Sequence, residues 1–104
     1  MNTDPPIACS LTAAELPARL AEMRAVGERS LLSAEHTDDG AVLRLRSDAG
    51  MRARVEALVQ AESECCPFLA FDLGESEDAL VLTIRSPDEG RAVVQDLVAA
   101  FEGA

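Results

Sequence analysis

Between Thr12 and Val26, Leu16, Leu20 and Met23 recur at helical spacing, which predicts a first helix. Thr12-Ala13-Ala14-Glu15 fits a capping box. Pro17 lacks an N–H and disfavours helical geometry at Leu16, so the first turn is expected near Pro17 and the end near Gly27. Two strand-length runs follow, LLSAEHT and AVLRLRS, around the turn signal Asp38-Asp39-Gly40, and they predict a hairpin. A helix is expected from about Asp48 to Glu64. The order then repeats: FLAFDL and ALVLTIRS flank Gly74-Glu75-Ser76-Glu77-Asp78, and a last helix is expected from about Pro87 to Phe101.

The repetition extends to the residues. A shift of 39 places lays DDGAVLRLRSDAGMRARVEALVQAE over EDALVLTIRSPDEGRAVVQDLVAAF without a gap. Val42, Leu43, Arg46, Ser47, Arg52, Ala53, Val55, Leu58, Val59 and Ala61 then meet identical residues, which points to an internal duplication. In the strands Leu43, Leu45, Leu80, Leu82 and Ile84 alternate with Val42, Arg44, Arg46, Val81, Thr83 and Arg85, as in a sheet with one face against helices. The expected fold class is α+β: a two-layer sandwich, an N-terminal helix then two strand-strand-helix repeats, with a four-stranded antiparallel sheet of permuted ferredoxin-like order. Val42 and Val81 on the polar face read either as scattered apolar residues or as a surface covered by the first helix or by a second copy in a homodimer.

Length and charge narrow the class. The 104 residues suit one α+β domain over 11–104, preceded by an extended arm over 1–10 that carries Pro5-Pro6. A net charge of −10 argues against nucleic acid and against anionic membrane surfaces, both of which need a basic patch. The start, MNTDPPIACS, has no signal-peptide pattern, and no apolar run is of membrane-spanning length, so a cytoplasmic protein is expected. Three cysteines, two of them adjacent, do not make a secreted disulfide framework and are expected to be reduced.

The adjacent pair carries the candidate chemistry. A helical wheel puts Met51, Val55, Leu58 and Val59 on the core stripe with Glu62 near its middle and Glu64 on the opposite, solvated side. Cys65 and Cys66 follow Glu62 by three and four residues, so a carboxylate and at least one thiol should be neighbours. In the 39-residue shift Glu62 stands where the second half has Phe101. Three readings of Glu62 remain open: it snorkels to water, it is buried in hydrogen bonds, or it serves a metal. Pro67 should end the helix at Cys66, which puts the thiols at the negative end of the dipole, with no cation evident in the sequence. That setting does not favour a free-thiolate nucleophile. A soft ion, by contrast, displaces the thiol proton itself.

Mercury(II), copper(I) and arsenic(III) are therefore the candidate cargo, with zinc a weaker fit, and Cys9 and Glu62 are the candidate further ligands. Core packing of the two cysteines and a vicinal disulfide are the other readings of the pair. His36 reads as an exposed hairpin residue. No phosphate loop, calcium loop or hydrolase elbow is present.

Glu62-x-x-Cys65-Cys66-x-Phe68-x-x-Phe71, with Leu43-x-Leu45 before it, Leu82 and Ile84 after it and Cys9 in an upstream Ile7-Ala8-Cys9-Ser10-Leu11 segment, resembles a family of small bacterial proteins with an E-x-x-C-C-x-F-x-x-F core. The resemblance covers most of the chain from Ile7, and only the E-x-x-C-C-x-F part is specific. It implies association with mercury-type metal-responsive regulators and heavy-metal resistance, with Glu62, Cys65 and Cys66 acting together and Cys9 joining them. The leading functional expectation is a non-enzymatic soft-metal-binding protein. A thiol-redox enzyme, such as an oxyanion reductase, and a structural or regulatory partner with core cysteines are the alternatives.

Overall fold

The computed structural model of the protein describes residues 15–48 and 50–103; the side chains of residues 15–17 and of Cys65 lie outside that description. The expected arm over 1–10 and the start of the expected capping box at Thr12 also lie outside it. The element order is α1 (Glu15–Ser30), β1 (Leu31–Thr37), β2 (Gly40–Arg46), α2 (Met51–Cys65), β3 (Ala70–Ser76), β4 (Ala79–Arg85) and α3 (Arg91–Glu102), the last preceded by a 3-10 turn at Asp88–Gly90.

The strands form one antiparallel sheet in the order β1-β2-β4-β3. The helices pack on one side of it, giving the two-layer α+β sandwich with permuted ferredoxin-like order. Alternation along the central strands is the cause of the layering. Ala41, Leu43, Leu45, Leu80, Leu82 and Ile84 are buried toward the helices, and Arg44, Arg46 and Arg85 are exposed on the other face. The duplication is visible in the element bounds, since β1 and β3, and β2 and β4, are each displaced by 39 positions. Leu43 and Leu82, counterparts in that shift, are direct partners in the β2–β4 ladder, so a pseudo-twofold axis passes between them.

Helix α1 stands outside the repeat and completes the core from the helix side, burying Met23 and Val26 in the same cluster as the sheet leucines. It therefore does not cover the open sheet face, which removes one reading of Val42 and Val81. Leu20, expected on the buried stripe, is 39% exposed. The stripe runs instead through Arg19, Met23, Val26, Gly27 and Ser30. Nor does Gly27 end the helix, which continues to Ser30. A Cβ on Gly27 would lie 1.7 Å from the Phe101 carbonyl oxygen, so the residue is glycine because α1 crosses the backbone of α3 there.

Two smaller differences have local causes. Helix α2 begins at Met51 because Asp48, expected inside it, accepts the Met51 N–H with its side chain at 3.1 Å. Strand β3 extends through Gly74 to Ser76, leaving Glu77 and Asp78 as a two-residue hairpin loop with Glu77 at φ 55.

Gly27→Ala is expected to cost about 2 kcal/mol or more, since the clash is with backbone that cannot rotate away. Gly50→Ala, where nothing lies within 4 Å, should stay within about 0.5 kcal/mol of the parent in the same urea titration.

Candidate functional site

The last turn of α2 assembles the site. The Cys66 N–H donates to Glu62 O at 2.7 Å, closing the final helical bond, and Cys66 itself has left helical geometry at φ −126, ψ 75. Pro67 is the cause: its ring excludes helical geometry from the preceding residue. The chain then turns, with the Leu69 N–H donating to Cys66 O at 3.0 Å. Phe68 lies against the start of α3, its ring within 2.9 Å of where a Gly90 Cβ would stand. This turn holds Cys66 in the core, only 1% exposed.

Glu62 faces inward on the same stripe as Met51, Val55 and Leu58 and is 4% exposed, while Glu64 is exposed. The snorkelling reading is thereby replaced by a buried carboxylate with a partner. Arg19 Nη1 donates to Glu62 Oε2 at 2.6 Å, a charge-assisted bond between α1 and α2. The other oxygen, Oε1, lies 3.9 Å from Cys66 Sγ, within reach of a hydrogen bond with sulfur as donor. Glu62 and its counterpart Phe101 line the same apolar crevice with Met23, Phe71, Leu82 and Leu97. Where one half of the duplication keeps an aromatic ring, the other keeps a carboxylate neutralised by an arginine from outside the repeat.

A second pair fixes the relation of the two helices. Arg54 Nε and Nη2 donate to Glu22 Oε2 and Oε1 at 3.1 and 3.0 Å, and this hydrogen bonding holds the Arg54 guanidinium above its usual pKa. Arg19 on Glu62 and Glu22 on Arg54 make α1 and α2 antiparallel, with Ala18, Ala53, Ala57 and Ala61 along the groove between them. The first residue of α1 thus lies at the Cys66 end of α2.

Of the sequence-predicted site residues, the structure brings Glu62 and Cys66 together. Cys65 occupies the last position of α2 with its side chain outside the described atoms, and Cys9 lies outside the described residues. Among the described residues no group of three or more His, Cys, Asp and Glu side chains gathers as for a metal ion. Arg19 is the residue that sequence reasoning missed. Its signal was its register: it precedes Met23 by four and Val26 by seven, on the buried stripe.

Fold and site together define a small duplicated α+β protein in which a part-buried arginine meets a buried carboxylate and a buried cysteine at one helix end. Comparison with protein-family models, with curated proteins and with solved structures returns no match.

Arg19→Met leaves the Glu62 carboxylate buried without its arginine and is expected to cost about 2–3 kcal/mol in urea unfolding, below the value for a fully buried pair because Arg19 is 20% exposed. Adding Glu62→Leu should return stability to within about 1 kcal/mol of the parent, since an apolar pair removes both charges. A double variant no more stable than the single one would mean that the pair is not the source of the loss.

Proposed function

We propose that this protein is a thiol-based soft-metal-binding protein of the reduced cytosolic compartment, non-enzymatic, in which Cys65 and Cys66 supply the sulfurs. The observation that carries the reading is the placement of Cys66 Sγ 3.9 Å from Glu62 Oε1 while Arg19 holds the opposite oxygen. A guanidinium already bound to Glu62 repels a cation from that carboxylate, so Glu62 acts outside the ligand shell. Its Oε1, 3.9 Å from Cys66 Sγ, supports the sulfur from outside that shell.

Cys9 is the proposed third sulfur. It precedes Glu15 by six residues, and six residues of chain span at most about 20 Å. Because α1 starts at the Cys66 end of α2, that reach includes the site. The soft-donor set suits mercury(II), copper(I) or arsenic(III) over zinc, which finds harder ligands equally acceptable. The family resemblance, with its association with mercury-type regulators, supports the same cargo.

The thiol-redox alternative has one new point in its favour, the cation that the sequence did not reveal. That cation is occupied by Glu62, so the pair offers a free thiolate no net positive charge. No helix among the described residues is long and apolar enough to cross a membrane. The protein partner proposed is a second copy of the chain on the open sheet face.

Titration of reduced protein with mercury(II) or copper(I) should produce thiolate-to-metal charge-transfer absorption that saturates at one ion per chain. Cys65→Ser with Cys66→Ser should abolish it, and Glu62→Gln should weaken affinity about 10- to 100-fold. An unchanged titration in the double serine variant would overturn the reading, and turnover of an oxyanion with a thiol reductant would favour the enzyme instead.

A further inference from the structure

Helix α1 packs mainly on α3 and leaves an open groove of about 600 Å³ against α2. Ala18 lines it from α1, and Ala53, Ala57 and Ala61 line it from successive turns of α2, beside the Arg54–Glu22 pair. Ala18, Ala53 and Ala57 are exposed and Ala61 is half-buried, so an apolar groove stands open on a chain that is 27% charged.

The chain itself supplies an occupant. Residues 1–14 lie outside the described part and join α1 at Glu15, less than one turn before Ala18. That end of α1 stands at the Cys66 end of α2, so the segment reaches the groove from the Ala61 side. Fourteen residues of extended chain cover up to about 46 Å, whereas Ala53 to Ala61 rises only about 12 Å along α2. Composition fits as well as length. Residues 5–14, PPIACSLTAA, carry no charged side chain, and Ile7 and Leu11 are their large apolar residues. A second copy fits less well, because two chains of net charge −10 repel one another.

The lengths also set a register. Pro5-Pro6 favours the polyproline conformation, which rises about 3.1 Å per residue. Asp4 to Ile7 then spans about 9 Å, against about 10 Å from Arg54 to Ala61. With Ile7 on Ala61, Asp4 reaches Arg54, whose guanidinium has five N–H donors of which Glu22 takes two. Asp4 is the single acidic side chain in residues 1–14. Cys9 follows Ile7 by about 7 Å, and Cys65 follows Ala61 by about 6 Å.

We propose that residues 4–8 lie in the α1–α2 groove, with Ile7 seated on Ala57 and Ala61 and Asp4 paired with Arg54. The docking needs no ion, so it stands or falls apart from the soft-metal reading; where that reading holds, it places Cys9 beside Cys65 before the ion arrives.

Methyl NMR of the reduced, metal-free full chain tests it. Nuclear Overhauser contacts from the Ile7 δ-methyl to the Ala57 and Ala61 β-methyls are the expected result, with resonances that do not move on dilution. Ile7→Asp should shift both alanine resonances with unchanged circular dichroism, and Ile7→Leu should leave them near their wild-type positions. Asp4→Arg, which sets two cations together, should lower the contact intensities twofold or more. Absence of the contacts in wild type would overturn the proposal, as would full-strength contacts in Asp4→Arg. So would alanine resonances that are the same in wild type and folded Ile7→Asp, or that shift with protein concentration as for a second copy in the groove.

Discussion

One ion pair, between a buried carboxylate and a part-buried arginine, governs how this molecule is put together. A carboxylate in an apolar core carries a desolvation cost that its surroundings must offset, and Glu62 stands among Val55, Leu58, Phe71 and Phe101. Arg19 offsets it from α1, the single helix among the described residues with no counterpart in the duplicated sequence. Eight residues further along, about 12 Å on a straight helix, Gly27 brings the same helix onto the carbonyl of Phe101. Glu62 and Phe101 are counterparts in the 39-residue shift, so α1 bridges the ends of both repeat helices at equivalent positions, once by charge and once by close backbone packing.

That bridge separates the two halves chemically. The strands preserve the pseudo-twofold relation closely enough for Leu43 and Leu82 to face one another, and α3 ends on Gly103 in the left-handed conformation with an aromatic residue filling the core. Helix α2 ends instead on the Cys66-Pro67 turn, with sulfur and carboxylate directed inward. The core is completed by the half that stayed apolar. The other half can then hold polar groups because an element outside the repeat compensates them.

Strict alternation made the sheet legible from sequence. Leu43 against Arg44 and Leu82 against Thr83 set faces and register, and the two hairpins followed from Asp38-Asp39 and from the residues around Glu77-Asp78. Helix α1 was harder to read for two reasons. Gly27 has the composition of a stop signal but answers to a helix crossing, and Leu20 has the composition of a core residue but is 39% exposed. At the site, local periodicity brought Glu62 and Cys66 together because they share a helix face. It could not assign Arg19 to Glu62, since the two are 43 residues apart and a charged residue on a wheel is read as solvated until a partner for it is known.

In the proposed soft-ion site sulfur is the donor and Glu62 remains with Arg19. X-ray absorption spectroscopy of the reduced protein loaded with one equivalent of mercury(II) tests this most directly, because sulfur and oxygen neighbours differ in distance and scattering. A shell of two or three sulfurs with no oxygen is the predicted result. An oxygen neighbour in the shell, or an ion lost on desalting, would contradict it.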